Sequence, residues 1–329
     1  MVYWEKRAKK GGGEPVESLI FSLNATVPVF LMMLLGVLFR RLGWLDEALA
    51  GKLNTFVFRV PLPVLVFSDL ASVDIAQVWD TKFVLFCFAA TAASIAIAWA
   101  ISYVWRDPSI QGEFIQAAHR SSAAILGAAL IQNIYGNSGM APIMMIGSVP
   151  LYNVMAVIVL SVFHADRRGL DRKTVTKTLR GIVTNPILIG IAAGLLWSAL
   201  RLPMPAILGK TVSSLGGIAT PLGLMAMGAT FDIKKAVGRV KPAATAAAMK
   251  LVGFCAIFLP LAVALGFRQQ ELVAILIMLG SATTVSAFVM AKSMGHEGVL
   301  SASAVMITTL FSAFTITGWL WLLRGLGFF

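Results

Sequence analysis

Ser121-Ser122-Ala123-Ala124-Ile125-Leu126-Gly127-Ala128-Ala129 is a run of small residues inside an apolar stretch that extends from about 114 to 134. Two hydroxyl-bearing residues open the run, directly after His119 and Arg120. About 160 residues later, the apolar stretch 272–291 contains Gly280-Ser281-Ala282-Thr283-Thr284-Val285-Ser286-Ala287. Small, hydroxyl-bearing interruptions at matched places in two apolar helices are typical of a binding site at the middle of a membrane. We therefore expect the rest of the chain to hold these two stretches face to face.

Composition places the chain in a membrane. Apolar residues make up 58% of its 329 residues and charged residues only 13%, and the mean hydropathy is +0.84. Apolar runs about 20 residues long recur along the chain, and they are continuous rather than alternating, which predicts helices rather than strands. The formal net charge of +12 is concentrated in a few loops, a pattern that favours a membrane protein over a nucleic-acid-binding protein.

Ten transmembrane helices are predicted, which we call spans 1 to 10. They lie at about 19–39, 53–70, 83–105, 114–135, 141–163, 186–200, 211–231, 243–265, 272–291 and 300–323. Pro61 and Pro63 predict a kink in span 2. The fold class is therefore an all-α polytopic membrane protein.

Spans 1 to 5 and spans 6 to 10 are predicted to be two copies of one unit. Pro28 and Gly36 in span 1 match Pro186 and Gly194 in span 6 at an offset of 158 residues. Because five is an odd number of spans, the second copy enters the membrane upside down, which gives an inverted repeat of the kind found in alternating-access transporters. The predicted division is a mobile polar tail at 1–16, a first repeat at 17–163, a basic loop at 164–181 and a second repeat at 182–329.

Several short motifs resemble the auxin efflux carrier family of membrane transporters. The run from His119 to Leu130 is similar to that family's fourth-helix pattern, Arg-Ser-Asn followed by Leu-Gly-x-Pro. The runs 282–292 and 308–315 resemble its ninth- and tenth-helix patterns, and 185–187 and 219–229 resemble its helices 6 and 7. The family's asparagine is Ser122 here, and its two helix-breaking prolines are replaced by Ala129 and Ala282.

The resemblance implies a ten-helix carrier with crossover helices 4 and 9 that exports small organic anions across the cell membrane. It also implies a scaffold of helices 1, 2, 6 and 7 through which two copies form a homodimer. The expected partners are the anion substrate and the lipid bilayer, with no nucleic acid. No metal and no cofactor is expected.

Hydroxyls, free backbone amides and a guanidinium can together replace water around a carboxylate. The candidate substrate-binding residues are Arg120, Ser121, Ser122, Gly127, Ala282, Thr283, Thr284, Ser286, Asn153 and Ser312. The alternative interpretation is that the small residues allow close helix packing and that Asn153 and Ser312 join helices by hydrogen bonds. Arg120 could likewise anchor the protein to lipid phosphate, rather than collect anions near the cytoplasmic mouth.

Charged residues within the spans are few. Arg59 and Lys250 each cost about 2.5–3.5 kcal/mol at the centre of a bilayer, which makes them candidates for function. Lys250 lies near the basic end of span 8, so extension of its side chain to the surface is the alternative. Asp69 falls at the end of span 2, and no Asp or Glu is expected deep within a span. This pattern favours an uncoupled anion carrier driven by the membrane potential.

Three other functions remain as alternatives. A sodium- or proton-coupled organic-anion symporter of the bile-acid type shares the resemblance but needs acidic ligands within the membrane. A membrane enzyme needs a nucleophile with a base or a metal cluster, and His119, His164 and His296 have no evident partners in sequence. A channel is disfavoured by the predicted inverted repeat. Cys87 and Cys255 lie in apolar spans and are interpreted as buried thiols.

Lys and Arg predict the orientation, because they accumulate in cytoplasmic loops. The loops after spans 1, 3, 5, 7 and 9 hold Arg40, Arg41, Lys52, Arg106, Arg167, Arg168, Arg172, Lys173, Lys177, Arg180, Lys234, Lys235, Arg239, Lys241 and Lys292. The opposite loops and the C-terminus hold Lys82, Arg201, Lys210, Arg268 and Arg324. The first set is therefore predicted to be cytoplasmic, with both termini outside. The basic residues of the N-terminal tail argue for the reverse orientation.

Cysteine labelling tests this topology. A cysteine introduced at Thr174 should resist a membrane-impermeant thiol reagent added outside intact cells, whereas one at Gly13 should react. The unmodified chain, with Cys87 and Cys255 in apolar spans, provides the background. Labelling at Thr174 without labelling at Gly13 would show the opposite orientation.

Overall fold

The computed structural model describes residues 14–72, 79–122, 131, 134–135, 140–163, 181 and 183–328. Gly127, residues 1–13 of the predicted tail and residues 164–180 of the predicted basic loop lie outside the described residues. The division of the chain into a tail, two repeats and a loop therefore stays a prediction.

The described residues form helices joined by short connections. In chain order these helices are α1 (Glu14–Arg41), α2 (Glu47–Arg59), α3 (Pro61–Ala71), α4 (Thr81–Ser102), α5 (Pro108–His119), α6 (Ala141–Val162), α7 (Pro186–Ala199), α8 (Ala206–Gly217), α9 (Ala219–Thr230), α10 (Ile233–Gly238), α11 (Val240–Ala248), α12 (Phe254–Ala264), α13 (Gln269–Gly280), α14 (Ser286–Ser293) and α15 (Val299–Gly325). A five-residue π-helix, Met249–Gly253, joins α11 to α12.

Six described segments are long and apolar enough to cross a membrane. They are Glu47–Ala71, Thr81–Ser102, Ala141–Val162, Ala206–Thr230, Val240–Ala264 and Val299–Gly325. Two shorter apolar helices, Pro186–Ala199 and Gln269–Gly280, accompany them. The protein is therefore a multi-pass, helical membrane protein, as its hydropathy predicts, while the count of ten spans stays a prediction.

Proline and polar caps set several helix boundaries. Span 2 is divided at Val60 into α2 and α3, because Pro61 has no backbone N–H to donate and starts a new helix. Asp46, Asp80 and Asn185 each accept a hydrogen bond from a backbone N–H in the first turn of the following helix. The kink that the prolines predict in span 2 is present.

Glycines allow two pairs of helices to approach closely. A Cβ atom at Gly36 of α1 would collide with the carbonyl oxygen of Met225 in α9, and one at Gly194 of α7 would collide with that of Phe67 in α3. Gly36 and Gly194 are 158 residues apart in the chain, and so are Phe67 and Met225. The scaffold thus contains the same glycine-to-backbone contact twice.

Different loops lie at the two ends of the molecule. At one end, Arg239 forms an ion pair with Asp107 at 2.7 Å. The hydroxyl of Ser109 and then Arg239 hold the pKa of the Asp107 carboxyl below its usual value. At the other end, the Lys82 Nζ donates to the Leu265 carbonyl at 2.5 Å. The loops that follow spans 3 and 7 therefore lie together.

Glu113 joins α5 to the start of α15. Its side chain is 1% exposed, and its two carboxylate oxygens accept hydrogen bonds from the backbone N–H groups of Gly298 and Ser301, each at 2.9 Å. A carboxylate suits this place, because the N-terminus of a helix carries partial positive charge and free N–H groups.

Glu113→Gln should therefore lower stability. The substitution removes the negative charge and turns one of two acceptors into a donor, which leaves a buried N–H unpaired at a cost of about 1–3 kcal/mol. Thermal unfolding of the purified protein in detergent measures the effect. Glu47→Gln, at an exposed position in the first turn of α2, is the control and should change little. Equal midpoints for Glu113→Gln and the unmodified protein would contradict this role.

Candidate functional site

The two stretches of small, hydroxyl-bearing residues meet where two helices stop. α5 ends at His119, and α13 ends at Gly280, with the five residues 281–285 between it and α14. Ser121 and Thr283 form an antiparallel backbone pair between these ends, and the N–H of Ser122 donates to the carbonyl of Ala282 at 3.0 Å. Both stretches thus have non-helical backbone where the sequence leads us to expect it, while residues 123–130 lie outside the described part.

Hydroxyl groups satisfy carbonyls that the broken helices leave free. The Ser121 hydroxyl donates to Met278 near the end of α13, at 2.5 Å. The Thr283 hydroxyl donates to Ala117 near the end of α5, at 2.8 Å. Each extended segment thus caps the helix of the other, and the Tyr152 hydroxyl adds a second bond to Met278 at 3.1 Å. Such partners are required because free carbonyls at membrane depth have no water to accept from.

Lys250 lies at the same crossing, on the π-helix. It is fully buried, so its side chain does not extend to the surface. Its Nζ donates to the Ser121 hydroxyl at 2.6 Å and to the carbonyls of His119 at 3.4 Å and Leu279 at 3.3 Å. The surface alternative for Lys250 is therefore wrong in this structure.

A cavity lies beside the crossing, between the broken helices and the scaffold. Its volume, measured as the space open to the centres of water-sized molecules, is about 60 Å³. Of the candidate residues, it is lined by Arg120, Ser121, Ser122, Asn153, Thr284 and Ser286. Residues of α2, α3 and α9 form the facing wall, so the cavity lies between the two groups of helices.

Arg120 is the charged group of this cavity. It follows the last residue of α5 and is only 3% exposed. Its guanidinium donates to the side-chain oxygen Oδ1 of Asn153 at 2.5 Å and to the Met290 sulfur at 2.6 Å. Among the described residues, it forms no ion pair with a carboxylate. Arg120 therefore lies deeper than the position near the mouth that the sequence leads us to expect.

Other candidate residues have structural contacts. The Thr283 hydroxyl donates to the Ala117 carbonyl, and the backbone N–H of Thr283 donates to the Thr308 hydroxyl at 2.9 Å. Ser312 is buried in α15 and donates to the Thr309 carbonyl at 3.2 Å. Ala282 contributes its backbone carbonyl to the crossing and does not line the cavity. Arg59, which the sequence analysis considered, is exposed at the end of α2.

Sequence reasoning did not place Asp69, Thr220 or Tyr152 in the site, yet all three line the cavity. Asp69 is the one acidic residue of the otherwise apolar helix α3, and this contrast could have identified it. Asp69 lies two residues before the end of α3, as the sequence analysis placed it, and its side chain is half-buried.

Apolar spans, interrupted helices and a cavity with a buried cation together define a multi-pass membrane transport protein. In agreement, a family described as "Membrane transport protein" matches residues 21–320. The chain belongs to this family, which is the auxin efflux carrier-like family that its motifs resemble.

Two relatives are similar along nearly their whole length. A Rhizobium meliloti protein named "Putative malonate transporter" is 26% identical over 311 residues, which is 91% of this chain and 94% of that protein. A protein of Methanothermobacter thermautotrophicus named "Uncharacterized transporter" is 21% identical over 306 residues, which is 91% of this chain and 97% of that protein. Both relatives are named as transporters rather than enzymes.

Thr283→Val and Thr284→Val should separate structural from cavity-lining hydroxyls. Thr283→Val leaves the Ala117 carbonyl without its hydroxyl donor, at a cost of about 1–3 kcal/mol. Thr284 lines the cavity, and its hydroxyl contacts only the Ser286 hydroxyl among the bonds described, at 3.2 Å. Thermal unfolding in detergent should therefore show a clear loss for Thr283→Val and little change for Thr284→Val. The opposite order would refute the assignment.

Proposed function

We propose that this protein is a secondary transporter that carries small organic anions with carboxylate groups across the membrane, by alternating access and in the direction of efflux. The observation that supports the proposal most directly is Arg120. A buried guanidinium that lines a cavity, with neutral acceptors as its partners among the described residues, leaves a positive charge available to a substrate. A guanidinium can hold a carboxylate through two parallel hydrogen bonds.

The cavity provides further donors for the same substrate. Hydroxyls of Ser122, Thr284 and Ser286 line it together with Arg120. Hydroxyl groups bind a carboxylate oxygen without adding a fixed charge, so the anion is held by one guanidinium and several neutral donors. This balance suits a carrier, because very tight binding slows release.

The name of the Rhizobium meliloti relative suggests the first substrate to test. Malonate is a three-carbon dicarboxylate, and its two carboxylates could be shared between Arg120 and the hydroxyls on the broken helices. We therefore propose small dicarboxylates as the preferred class, with monocarboxylates of similar size as weaker substrates.

Packing within the scaffold supports the inverted repeat that alternating access requires. The contact of Gly36 with Met225 and that of Gly194 with Phe67 are related by one offset of 158 residues. The hydroxyl bonds at the crossing also form a matched pair. The Ser121 hydroxyl binds a carbonyl of α13, and the Thr283 hydroxyl binds a carbonyl of α5. Two copies of one unit facing each other allow a cavity to open towards either side in turn.

Proton-coupled symport is the second candidate function, and Asp69 favours it. A carboxylate in the wall of a cavity within the membrane is a common site for proton coupling. An uncoupled carrier would instead be driven by the membrane potential, which provides about 2.3 kcal/mol per charge for each 100 mV. An imposed potential and an imposed pH gradient therefore distinguish the two candidates.

Uptake of labelled malonate into proteoliposomes tests the proposal. The purified protein should catalyse saturable uptake, and Arg120→Ala should raise KM at least about tenfold, because the loss of a charged hydrogen-bond partner costs about 1.5–3 kcal/mol. Arg59→Ala, which removes an exposed arginine outside the cavity, is the matched control and should transport normally. The same vesicles are assayed with a potential alone and with a pH gradient alone.

Two results would contradict the proposal. Absence of uptake for malonate and for other small mono- and dicarboxylates would exclude an organic-anion carrier. An unchanged KM in a well-folded Arg120→Ala variant would remove the guanidinium from the binding site and leave it a structural role through Asn153 and Met290.

A further inference from the structure

Lys250 is a buried positive charge that the proposed anion site does not use. It is fully buried and does not line the cavity, and no described carboxylate lies within ion-pair distance of it. An unpaired ammonium at this depth is costly, so something else in the structure must compensate its charge.

The compensation comes from the ends of two broken helices. The Lys250 Nζ is 3.4 Å from the carbonyl of His119, the last residue of α5, and 3.3 Å from that of Leu279 in the last turn of α13. Each helix C-terminus carries about half a negative elementary charge. Two such ends directed at one point amount to about one negative charge, which a single ammonium neutralises.

Among the described residues, the hydrogen-bond acceptors of the ammonium are all oxygen atoms. Besides the two carbonyls, the Ser121 hydroxyl lies 2.6 Å from Nζ. A lysine ammonium has three N–H groups, so these three oxygens satisfy all of its donors. Oxygen acceptors at the C-terminal ends of half-helices are also what membrane carriers use to bind sodium.

We infer that Lys250 is a built-in cation, which permanently occupies the place at the helix crossing that a sodium ion would otherwise fill. The ammonium is covalently attached to the segment 240–264 and cannot leave with the substrate. Transport therefore needs no sodium at this point, and the crossing keeps its charge balance in every salt. Shortening the side chain should convert the place into a sodium site.

Thermal stability in different salts tests this inference without any substrate. Lys250→Ala keeps the three oxygens and leaves room for an ion. Its unfolding midpoint in detergent should rise by several degrees when choline chloride is replaced by sodium chloride at equal ionic strength, and the rise should saturate with sodium concentration. The unmodified protein should show equal midpoints in the two salts.

Lys250→Met is the matched control. Its unbranched side chain fills most of the space without a charge, so it should be destabilised equally in both salts. Lys250→Ala in potassium chloride reports on selectivity, and the inference expects a smaller rise there than in sodium chloride.

Each outcome decides the inference. A rise specific to sodium in Lys250→Ala, absent from Lys250→Met and from the unmodified protein, supports it. Equal midpoints of Lys250→Ala in sodium and choline, or failure of this variant to fold in either salt, overturns it. A higher unfolding midpoint of the unmodified protein in sodium chloride than in choline chloride also overturns it. None of these results depends on which anion is carried, so failure here is distinct from failure of the proposed function.

Discussion

The backbone groups released where α5 and α13 stop are the constraint on which the centre of this protein depends. A carbonyl or amide without a partner is costly in an apolar environment, and the bilayer core offers no water to replace a lost helical bond. Breaking two helices at one level is therefore stable only if other groups take up the free positions. The structure supplies them from within the crossing itself, through Ser121, Thr283 and Lys250.

This constraint explains the residue types in the two stretches. Small side chains allow the extended segments to come close enough for the backbone bond from Ser122 to Ala282. Hydroxyls at Ser121 and Thr283 then reach a carbonyl on the opposite helix, and those at Ser122 and Thr284 remain at the cavity. Neighbouring residues thus make different contacts, because successive side chains of an extended segment point to opposite sides.

How far the sequence predicted this arrangement depends on the range of each interaction. Hydropathy and proline positions predicted the helices and the kink at Pro61, because both act locally. The interruptions at Ser121 and Thr283 were predictable because small polar residues contrast with their apolar neighbours. The inward position of Lys250 was not, because a π-helix shifts the side-chain register by one residue within its turn and distance from the helix end no longer indicates which way a lysine points. Asp69 contrasts with its apolar neighbours in the sequence, but the side of α3 that faces the cavity is set by tertiary packing.

Two buried cations near one crossing raise the question of which of them attracts an anion. Lys250 has its three donors on oxygens, two of them carbonyls at the negative ends of helices, so its charge is largely neutralised by the protein. Among the described residues, Arg120 donates to the neutral side chains of Asn153 and Met290, and it lines the cavity. Since a guanidinium has five N–H donors, donors remain for a ligand once these two bonds are made. The electrostatic attraction for a carboxylate is therefore concentrated at Arg120, while Lys250 stabilises the helix ends beside it.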